Sequence, residues 1–292
     1  MGIKRIAVIG AGTMGRGIAE VAAVAGLDVL IVEVSEVQRK VAQTQVRRSI
    51  EQGVRAGKIP AGGGSGTVAD PATAADTIAS RIIWTDDLDA ASMTRFVIEA
   101  IPEEESLKVG VFTRLDGVCP PTAILASNTS SISLTRLASS TGRPDRVVGM
   151  HFFNPVPMMA PVEIVRAATT SEETVGTTRR LAERMGKQAF VVQDRPGFVV
   201  NRVLMPLINE AAIALHEEVA DAITIDGLMK LGCNHPMGPL RLADLIGLDV
   251  CVSILHVLHR ELGDKFCPCP LLIDMVQAGK LGRKSGEGFY KY

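Results

Sequence analysis

The chain has 292 residues, of which 22% are charged, and its formal net charge is -1. A chain of this length usually folds around more than one core, so we expect two domains. The balanced charge gives no reason to expect a nucleic-acid partner or a membrane-surface partner, and no apolar stretch approaches the ~20 residues that a membrane helix needs.

The cysteines and the N-terminus bear on location. Five cysteines, an odd number with irregular spacing, fit a reducing compartment. The first apolar run is far too short for a signal sequence, and the glycines beside it belong to a motif. The sequence therefore predicts a cytoplasmic protein.

The N-terminal segment predicts a strand, a helix and a second strand. Residues 5–9 are apolar and rich in β-branched side chains, as in a buried parallel strand. Apolar residues then recur at helical spacing, and the second strand, residues 29–32, ends at Glu33. Between the first strand and the helix lie the three glycines of a dinucleotide-binding turn, Gly10, Gly12 and Gly15.

Each part of this βαβ unit suits a dinucleotide. Gly10 permits the tight turn, Gly12 leaves room for the pyrophosphate, and Gly15 allows close packing of helix on sheet. The free N–H groups at the start of the helix would hold the phosphate charge. Glu33 is placed to accept hydrogen bonds from the adenosine ribose and to repel a 2′-phosphate, so NAD is predicted; Arg39 nearby leaves NADP open.

The remaining chain divides into a strand-rich part and a helical part. A basic helix is predicted over residues 36–58 and a loop over residues 60–71. Further strands are predicted at residues 81–84, 96–100, 123–127, 146–151, 162–165 and 189–192. Helices without intervening strands are predicted at residues 200–218, 223–232, 239–262 and 270–279.

These elements predict the fold class. Strands that alternate with helices indicate an α/β domain with a Rossmann-like doubly wound sheet, and an all-α C-terminal domain follows it. We place the boundary at Asp194, which gives a cofactor-binding domain over residues 1–193 and a helical domain over residues 194–292.

A histidine and a glutamate stand in neighbouring predicted strands. His151 ends one strand and Glu163 lies in the next apolar run. Hydride transfer from a secondary alcohol to nicotinamide needs a base, and imidazole changes its protonation state near neutral pH. If the two strands are adjacent, the carboxylate would fix the tautomer of the imidazole. From this stretch alone, a hydrogen-bonded core histidine beside an incidental charge remains open.

A second group of side chains deserves comparison with metal sites. His256, His259, Cys267 and Cys269 fall close together, but Cys-Pro-Cys does not have the C-x₂₋₄-C spacing of structural zinc sites. The two histidines lie in an apolar helical segment. We therefore expect no metal.

Five separated motifs occur in a recognisable order. They are "GAGTMGRGIA", "SNTSSIS", "HFFNPVP", "PGFVVNR" and "GRKSGEGFYKY". Together they resemble the L-3-hydroxyacyl-CoA dehydrogenase family, including its bacterial 3-hydroxybutyryl-CoA dehydrogenases, over nearly the whole chain. The resemblance implies reversible, NAD-dependent oxidation of an L-3-hydroxyacyl-CoA to a 3-oxoacyl-CoA, and a homodimer formed through the helical domain.

The resemblance also implies roles for individual residues. His151 matches the catalytic base and Glu163 its carboxylate partner, while Ser130 and Asn201 match residues that contact the substrate. Ser49 matches a position that meets the CoA moiety. In addition to the three glycines and Glu33, the implied cofactor-binding residues are Thr13, Met14, Glu103, Lys108, Ser130, Asn154 and Lys284.

The basic helix supports an acyl-CoA partner independently of the resemblance. Lys40, Arg47 and Arg55 recur about two turns apart on one broad face. The phosphates of CoA would be attracted to such a face. An ordinary solvated helix face is the alternative for any one of these side chains.

Three other interpretations fit parts of the sequence. A dehydrogenase of a polar hydroxy acid, such as a gulonate-type enzyme of the same fold, would not need the basic helix. The β-hydroxyacid dehydrogenases use a lysine on the helix that joins the domains, but "GFVVNRVLMPLINEA" contains no lysine. A non-catalytic NAD-binding structural protein would be expected to lose the acid–base residues, which are all present here.

Overall fold

A computed structural model describes residues 2–60 and 70–292. The chain forms two compact units, Met1–Asp194 and Arg195–Tyr292. Most of the loop predicted over residues 60–71 lies outside the described residues. At its end, Asp70 caps a helix by accepting hydrogen bonds from the backbone N–H groups of Ala72 and Thr73.

The first unit is built on an eight-stranded sheet with the strand order β3-β2-β1-β4-β5-β6-β7-β8. All neighbouring strands are parallel except β6 and β7, which are antiparallel. The strands are β1 Arg5–Ile9, β2 Asp28–Val32, β3 Ile82–Thr85, β4 Phe96–Glu99, β5 Ile124–Ser127, β6 Val147–Phe152, β7 Pro161–Arg166 and β8 Gln188–Gln193. The order of the first six is that of the dinucleotide-binding sheet, so the predicted fold class is confirmed.

Helices lie between most of these strands. They are α1 Thr13–Val24, α2 Glu36–Arg55, α3 Pro71–Ala79, α4 Glu105–Val118, α5 Leu134–Ser139 and α6 Glu172–Arg184. The basic helix α2 ends at Arg55, three residues before the predicted end. The central strands are buried on both faces, as the continuous apolar runs predict, and Val8, Ile98 and Val148 belong to one apolar core.

The glycine-rich turn has the geometry that its sequence requires. Gly10 adopts a φ of 96°, in the left-handed region that glycine enters without strain. A Cβ atom at Gly15 would lie 1.9 Å from the carbonyl oxygen of Gly10, so only glycine allows α1 to approach the turn. At Gly12, by contrast, a Cβ atom would have no neighbour within 4 Å, which leaves space beside the backbone.

The second unit is helical in the described residues. Its helices are α7 Val200–His216, α8 Ala222–Gly232, α9 Pro239–Ile246, α10 Leu248–Leu262 and α11 Pro270–Gln277. The single helix predicted over residues 239–262 is wrong, because Gly247 breaks it with a φ of 106°. The apolar spacing continues across the break and hides it from a periodicity argument.

No single described helix is long and apolar enough to cross a membrane. Helices α9 and α10 reach the required length and composition only together, and they are bent by 99° at Gly247. Both contribute to the buried core of the second unit, in which Leu240, Leu248 and Leu255 are fully enclosed.

The C-terminal motif is held by two buried carboxylates of this unit. Asp244 accepts hydrogen bonds from the backbone N–H groups of Phe289 and Tyr290, at 2.9 and 3.0 Å. Asp226 accepts the phenolic hydrogen of Tyr290 at 2.7 Å, and burial is the largest cause that raises the pKa of this phenol. The motif "GEGFYKY" is therefore bound to helices α8 and α9 of the same unit.

Candidate active site

A cavity of about 860 Å³ lies at the carboxyl ends of β1, β2 and β4. Parallel strands and the helices that follow them create such a crevice where the strand order reverses. The glycine-rich turn and two acidic segments contribute to its wall. Among its lining residues are Gly10, Gly12, Thr13, Met14, Glu33, Gln38, Asp86 and Asp87.

Glu33 is fixed at the end of β2 by backbone donors. One carboxylate oxygen accepts the N–H of Ala11 at 3.0 Å, and the other accepts the N–H of Ser35 at 3.0 Å. The side chain thus joins the glycine-rich turn to the start of α2. Its position beside the cavity is the one that the sequence predicts for a ribose ligand.

Glu103 organises the loop that follows β5. Its Oε1 accepts the backbone N–H groups of Ser130 and Ser131, at 2.9 and 3.0 Å, and the hydroxyl of Thr129 at 2.5 Å. Burial raises the pKa of Glu103, but the charge of Lys108 and these donors outweigh it, so the pKa lies below its usual value. The carboxylate is therefore ionised at neutral pH and holds the serine-rich loop in place.

Lys108 is buried, with only 1% of its side chain exposed. Its ammonium lies 2.5 Å from Glu99 Oε1, 3.3 Å from Glu103 Oε2 and 3.2 Å from the carbonyl oxygen of Ile101. Three acceptors match the three hydrogens of an ammonium group. Lys108, which the resemblance assigns to the cofactor, thus pairs with Glu99 and Glu103 within the protein.

His151 and Glu163 face each other across β6 and β7. They are directly opposed in the antiparallel register, and His151 Nδ1 lies 2.7 Å from Glu163 Oε2. Both side chains are buried. When Glu163 is ionised, the imidazole hydrogen that faces it lies on Nδ1, and Nε2 then carries a lone pair. The structure therefore brings together the two side chains that the sequence singles out as an acid–base pair.

Asn128 supports the end of β6, a contact that motif reading did not identify. Its side-chain oxygen accepts the backbone N–H of Phe152 at 3.0 Å, next to His151. The sequence feature that could have indicated this contact is the position of Asn128 directly after a predicted strand.

Asn154, a predicted cofactor-binding residue, is exposed two residues after Phe152, and its peptide bond to Pro155 is cis.

Ser49 lies on α2 and contacts the neighbouring helix α1. Its hydroxyl donates a 2.8 Å hydrogen bond to Glu20. Burial raises the pKa of Glu20 to about 7, although the bond from Ser49 and the charges of Lys187 and Arg16 oppose it. Lys187 in turn donates to the carbonyl oxygens of Val156 and Met159, in the loop between β6 and β7.

The three basic side chains predicted to share one face of α2 are each paired with a carboxylate, which partly neutralises this face of the helix. Lys40 pairs with Glu36 at 2.6 Å, Arg47 with Asp76 at 2.5 Å, and Arg55 with Glu51 at 2.6 Å. Exposed pairs of this kind are weak and exchange partners readily. These side chains could therefore turn to an anionic ligand at small cost.

Two predicted site residues belong to the second unit. Asn201 is buried in the first turn of α7. Lys284 lies in the C-terminal motif, and its ammonium is 2.5 Å from Asp249. In residues 2–60 and 70–292, no group of three or more His, Cys, Asp or Glu side chains is placed to hold a metal ion.

Comparison with known proteins accounts for both units. The 3-hydroxyacyl-CoA dehydrogenase NAD binding domain matches residues 5–195, and the C-terminal domain of the same family matches residues 197–292. The chain belongs to the 3-hydroxyacyl-CoA dehydrogenase family. Its first unit is thus an NAD-binding domain.

Relatives in this family match over nearly their full length. The chain is 50% identical to a probable 3-hydroxybutyryl-CoA dehydrogenase of Bacillus subtilis, and the alignment covers 100% of this chain and 98% of the relative. It is 45% identical to a 3-hydroxybutyryl-CoA dehydrogenase of Bradyrhizobium diazoefficiens, over 99% and 96% of the two chains. The crystal structure of (S)-3-hydroxybutyryl-CoA dehydrogenase from Ralstonia eutropha superimposes with a TM-score of 0.92, at 44% identity over 99% of each chain.

The residues present fit NAD. The open space at Gly12 admits a pyrophosphate, and the N-terminus of α1 offers backbone N–H groups and a favourable dipole. Glu33 supplies a carboxylate that is fixed against the turn by the N–H of Ala11. The cavity in the first unit therefore has the residues that NAD binding requires.

Proposed function

We propose that this protein oxidises an L-3-hydroxyacyl-CoA to the 3-oxoacyl-CoA, reversibly, with His151 and Glu163 as the acid–base pair. The observation that carries the proposal is the 2.7 Å contact between His151 Nδ1 and Glu163 Oε2. It lies at the carboxyl edge of the sheet that also carries the glycine-rich turn. Membership of the family and the names of the relatives support the reaction class.

His151 Nε2 removes the proton from the C3 hydroxyl of the substrate. Because Glu163 holds the hydrogen on Nδ1, it is the Nε2 lone pair that takes that proton. The carboxylate then stabilises the imidazolium, and in the reverse reaction the imidazolium returns the proton. Bound NAD⁺ supplies the hydride acceptor.

The remaining predicted residues position the reactants. Ser130, on the loop that Glu103 holds, is assigned to the C3 oxygen of the substrate. Asn201 is assigned to the substrate by the family resemblance. Ser49 and the basic residues of α2 receive the CoA moiety. Glu33 and the glycine-rich turn bind NAD, and the family resemblance assigns Asn154 and Lys284 to the cofactor as well.

The other proposals concern the whole protein. Residues 1–193 bind the cofactor, and residues 194–292 contribute to the substrate site and to a homodimer. We place the protein in the cytoplasm, an assignment that the five free cysteines support.

The test replaces the base. His151→Ala should lower kcat for 3-hydroxybutyryl-CoA by ~10²–10⁴, the usual contribution of a general base, while the dissociation constant of NAD⁺ stays the same. The matched control is His256→Ala, which removes an exposed histidine of α10. A His151→Ala enzyme with wild-type turnover would refute the assignment.

A second variant tests the tautomer argument. Glu163→Gln can donate a hydrogen bond to Nδ1 and so move the imidazole hydrogen to Nε2, where it blocks proton removal. Its kcat should fall with little change in KM. Assays with free hydroxy acids, run beside assays with the CoA esters, distinguish the proposed reaction from that of a polar hydroxy acid dehydrogenase. If the protein binds NADH but turns over none of the esters, the structural-protein alternative is favoured.

A further inference from the structure

Besides Glu33, a second acidic segment lines the cavity. It consists of Asp86 and Asp87. Strands β2 and β3 are parallel, with Val32 opposite Thr85, and the N–H of Glu33 donates to the carbonyl oxygen of Thr85 at 2.9 Å. Asp86 follows Thr85 directly. Glu33 and Asp86 therefore leave the sheet at the same point, and both line the cavity.

Arg39 lies at this same point, on the first turns of α2. Its Nη1 donates to the backbone carbonyl oxygen of Glu33, and its Nη2 lies 3.2 Å from Asp86 Oδ2. The Arg39 side chain is 16% exposed, whereas that of Asp86 is 66% exposed. The guanidinium is thus held against the protein by one carbonyl group and one carboxylate.

The charges at this point disfavour a phosphate. Glu33, Asp86, Asp87 and Arg114 line the cavity. Arg114 pairs with Asp89, and Arg39, beside the lining, pairs with Asp86. Counting both pairs, four carboxylates and two guanidinium groups leave two net negative charges. A 2′-phosphate would meet this repulsion. Unlike the exposed cations further along α2, Arg39 is largely buried and is held by two contacts, so it is less free to turn to the phosphate.

We propose that Asp86 is a specificity-determining residue that, with Glu33, selects NAD over NADP by holding Arg39 away from a 2′-phosphate. The inference rests on the proposed NAD-dependent function. It goes beyond the usual role of the acid at the end of the second strand, because it assigns the preference to an ion pair between α2 and the segment after β3. Arg39 is then a phosphate ligand that the fold already contains but keeps occupied.

The test frees the guanidinium in two steps. Glu33→Ser removes the first carboxylate, and adding Asp86→Asn releases Arg39 without changing the size of the side chain. The double variant should bind NADP⁺ roughly tenfold to a hundredfold more tightly than Glu33→Ser alone, the range expected for a hydrogen bond to a charged group. Adding Arg39→Gln should remove this gain. Dissociation constants for NADP⁺ and NAD⁺ are measured by calorimetry, and kcat/KM with NADPH and NADH provides a second readout.

The matched control is Glu33→Ser combined with Asp76→Asn. Asp76 pairs with Arg47, another arginine of α2, with Nε and Oδ1 2.5 Å apart. This variant removes the same charge and frees an arginine on the same helix without touching the crevice. Its affinity for NADP⁺ should equal that of Glu33→Ser.

Two outcomes would overturn the inference: equal NADP⁺ affinity in Glu33→Ser with and without Asp86→Asn, or a gain that survives Arg39→Gln. If Glu33→Ser does not fold, Asp86→Asn in the wild-type background should still tighten NADP⁺ binding severalfold. Because binding is measured without substrate, a protein that fails to oxidise 3-hydroxyacyl-CoA would refute the proposed function and leave this test intact.

Discussion

At the scale of single residues, Glu20 is a buried acid that the proposed reaction does not use. It lies on α1, accepts a hydrogen bond from Ser49, and shares its surroundings with Lys187. Burial raises its pKa from 4.5 to about 7. The folded protein therefore retains a proton on this group at pH values where the unfolded chain has lost it.

This proton affects stability in a defined direction. Between pH 4.5 and 7 the folded state binds more protons than the unfolded state, so the contribution of Glu20 to the free energy of unfolding falls as the pH rises. A raised pKa of this size corresponds to about 3 kcal/mol. The loss should be complete above pH 7.

Glu20→Gln should remove this dependence. Relative to the wild type, the variant should gain about 2 to 3 kcal/mol in the free energy of unfolding between pH 5 and pH 8. Urea titrations followed by the fluorescence of Trp84, the single tryptophan, report on the first unit. Glu210→Gln, at an exposed position of α7, is the control. A difference that stays flat with pH would show that Glu20 is ionised in the folded protein.

At the scale of elements, the ends of β4 and β5 are joined through a buried ion pair. Glu99 ends β4, is fully buried, and accepts hydrogen bonds from Lys108 and from Ser127 at the end of β5. Burial raises the pKa of Glu99, while the charge of Lys108 opposes it. The pair thus connects the sheet, helix α4 and, through Glu103, the loop that contains Ser130.

Removing one partner should cost more than removing both. Lys108→Met leaves Glu99 buried without its cation, which should lower the free energy of unfolding by about 3 to 5 kcal/mol. Adding Glu99→Gln removes the uncompensated charge and should restore much of the loss. The same Trp84 titrations measure both effects, and Arg179→Met, which breaks an exposed pair with Glu183, should change little. If the double variant loses as much free energy of unfolding as the two single variants together, Glu99 is not left uncompensated by the removal of Lys108.

The elements also show what the sequence can predict. Strands were placed within about a residue because continuous apolar runs flanked by turn residues mark buried parallel strands. The pairing of His151 and Glu163 was predicted only on the condition that their strands are adjacent, and the register of β6 and β7 meets that condition. Gly247 was missed because apolar spacing continues through the bend. Contacts such as Glu99 with Lys108 could not be predicted, since they depend on how α4 packs on the sheet.

At the scale of the whole molecule, the second unit exposes apolar side chains that its own core does not cover. Leu228 and Leu231 of α8 are 64% and 89% exposed, and Ile223 lies on the same broad face of that helix. Val203 of α7 is also exposed. Exposed apolar groups along one helix face, as on α8, are typical of surfaces that bind another protein, and a second copy of this chain is the partner that we propose.

Charged side chains on this face should separate the copies. The wild type should elute at twice the mass of one chain, whereas Leu228→Lys with Leu231→Lys should elute at the mass of one chain, because burying two ammonium groups in an apolar interface is costly. Both positions are exposed, so each unit should remain folded and circular dichroism should be unchanged. Met93→Lys replaces an equally exposed apolar residue of the first unit and should leave the dimer intact. A wild type that elutes as a monomer at micromolar concentration, or a double variant that remains dimeric, would exclude α8 from the interface.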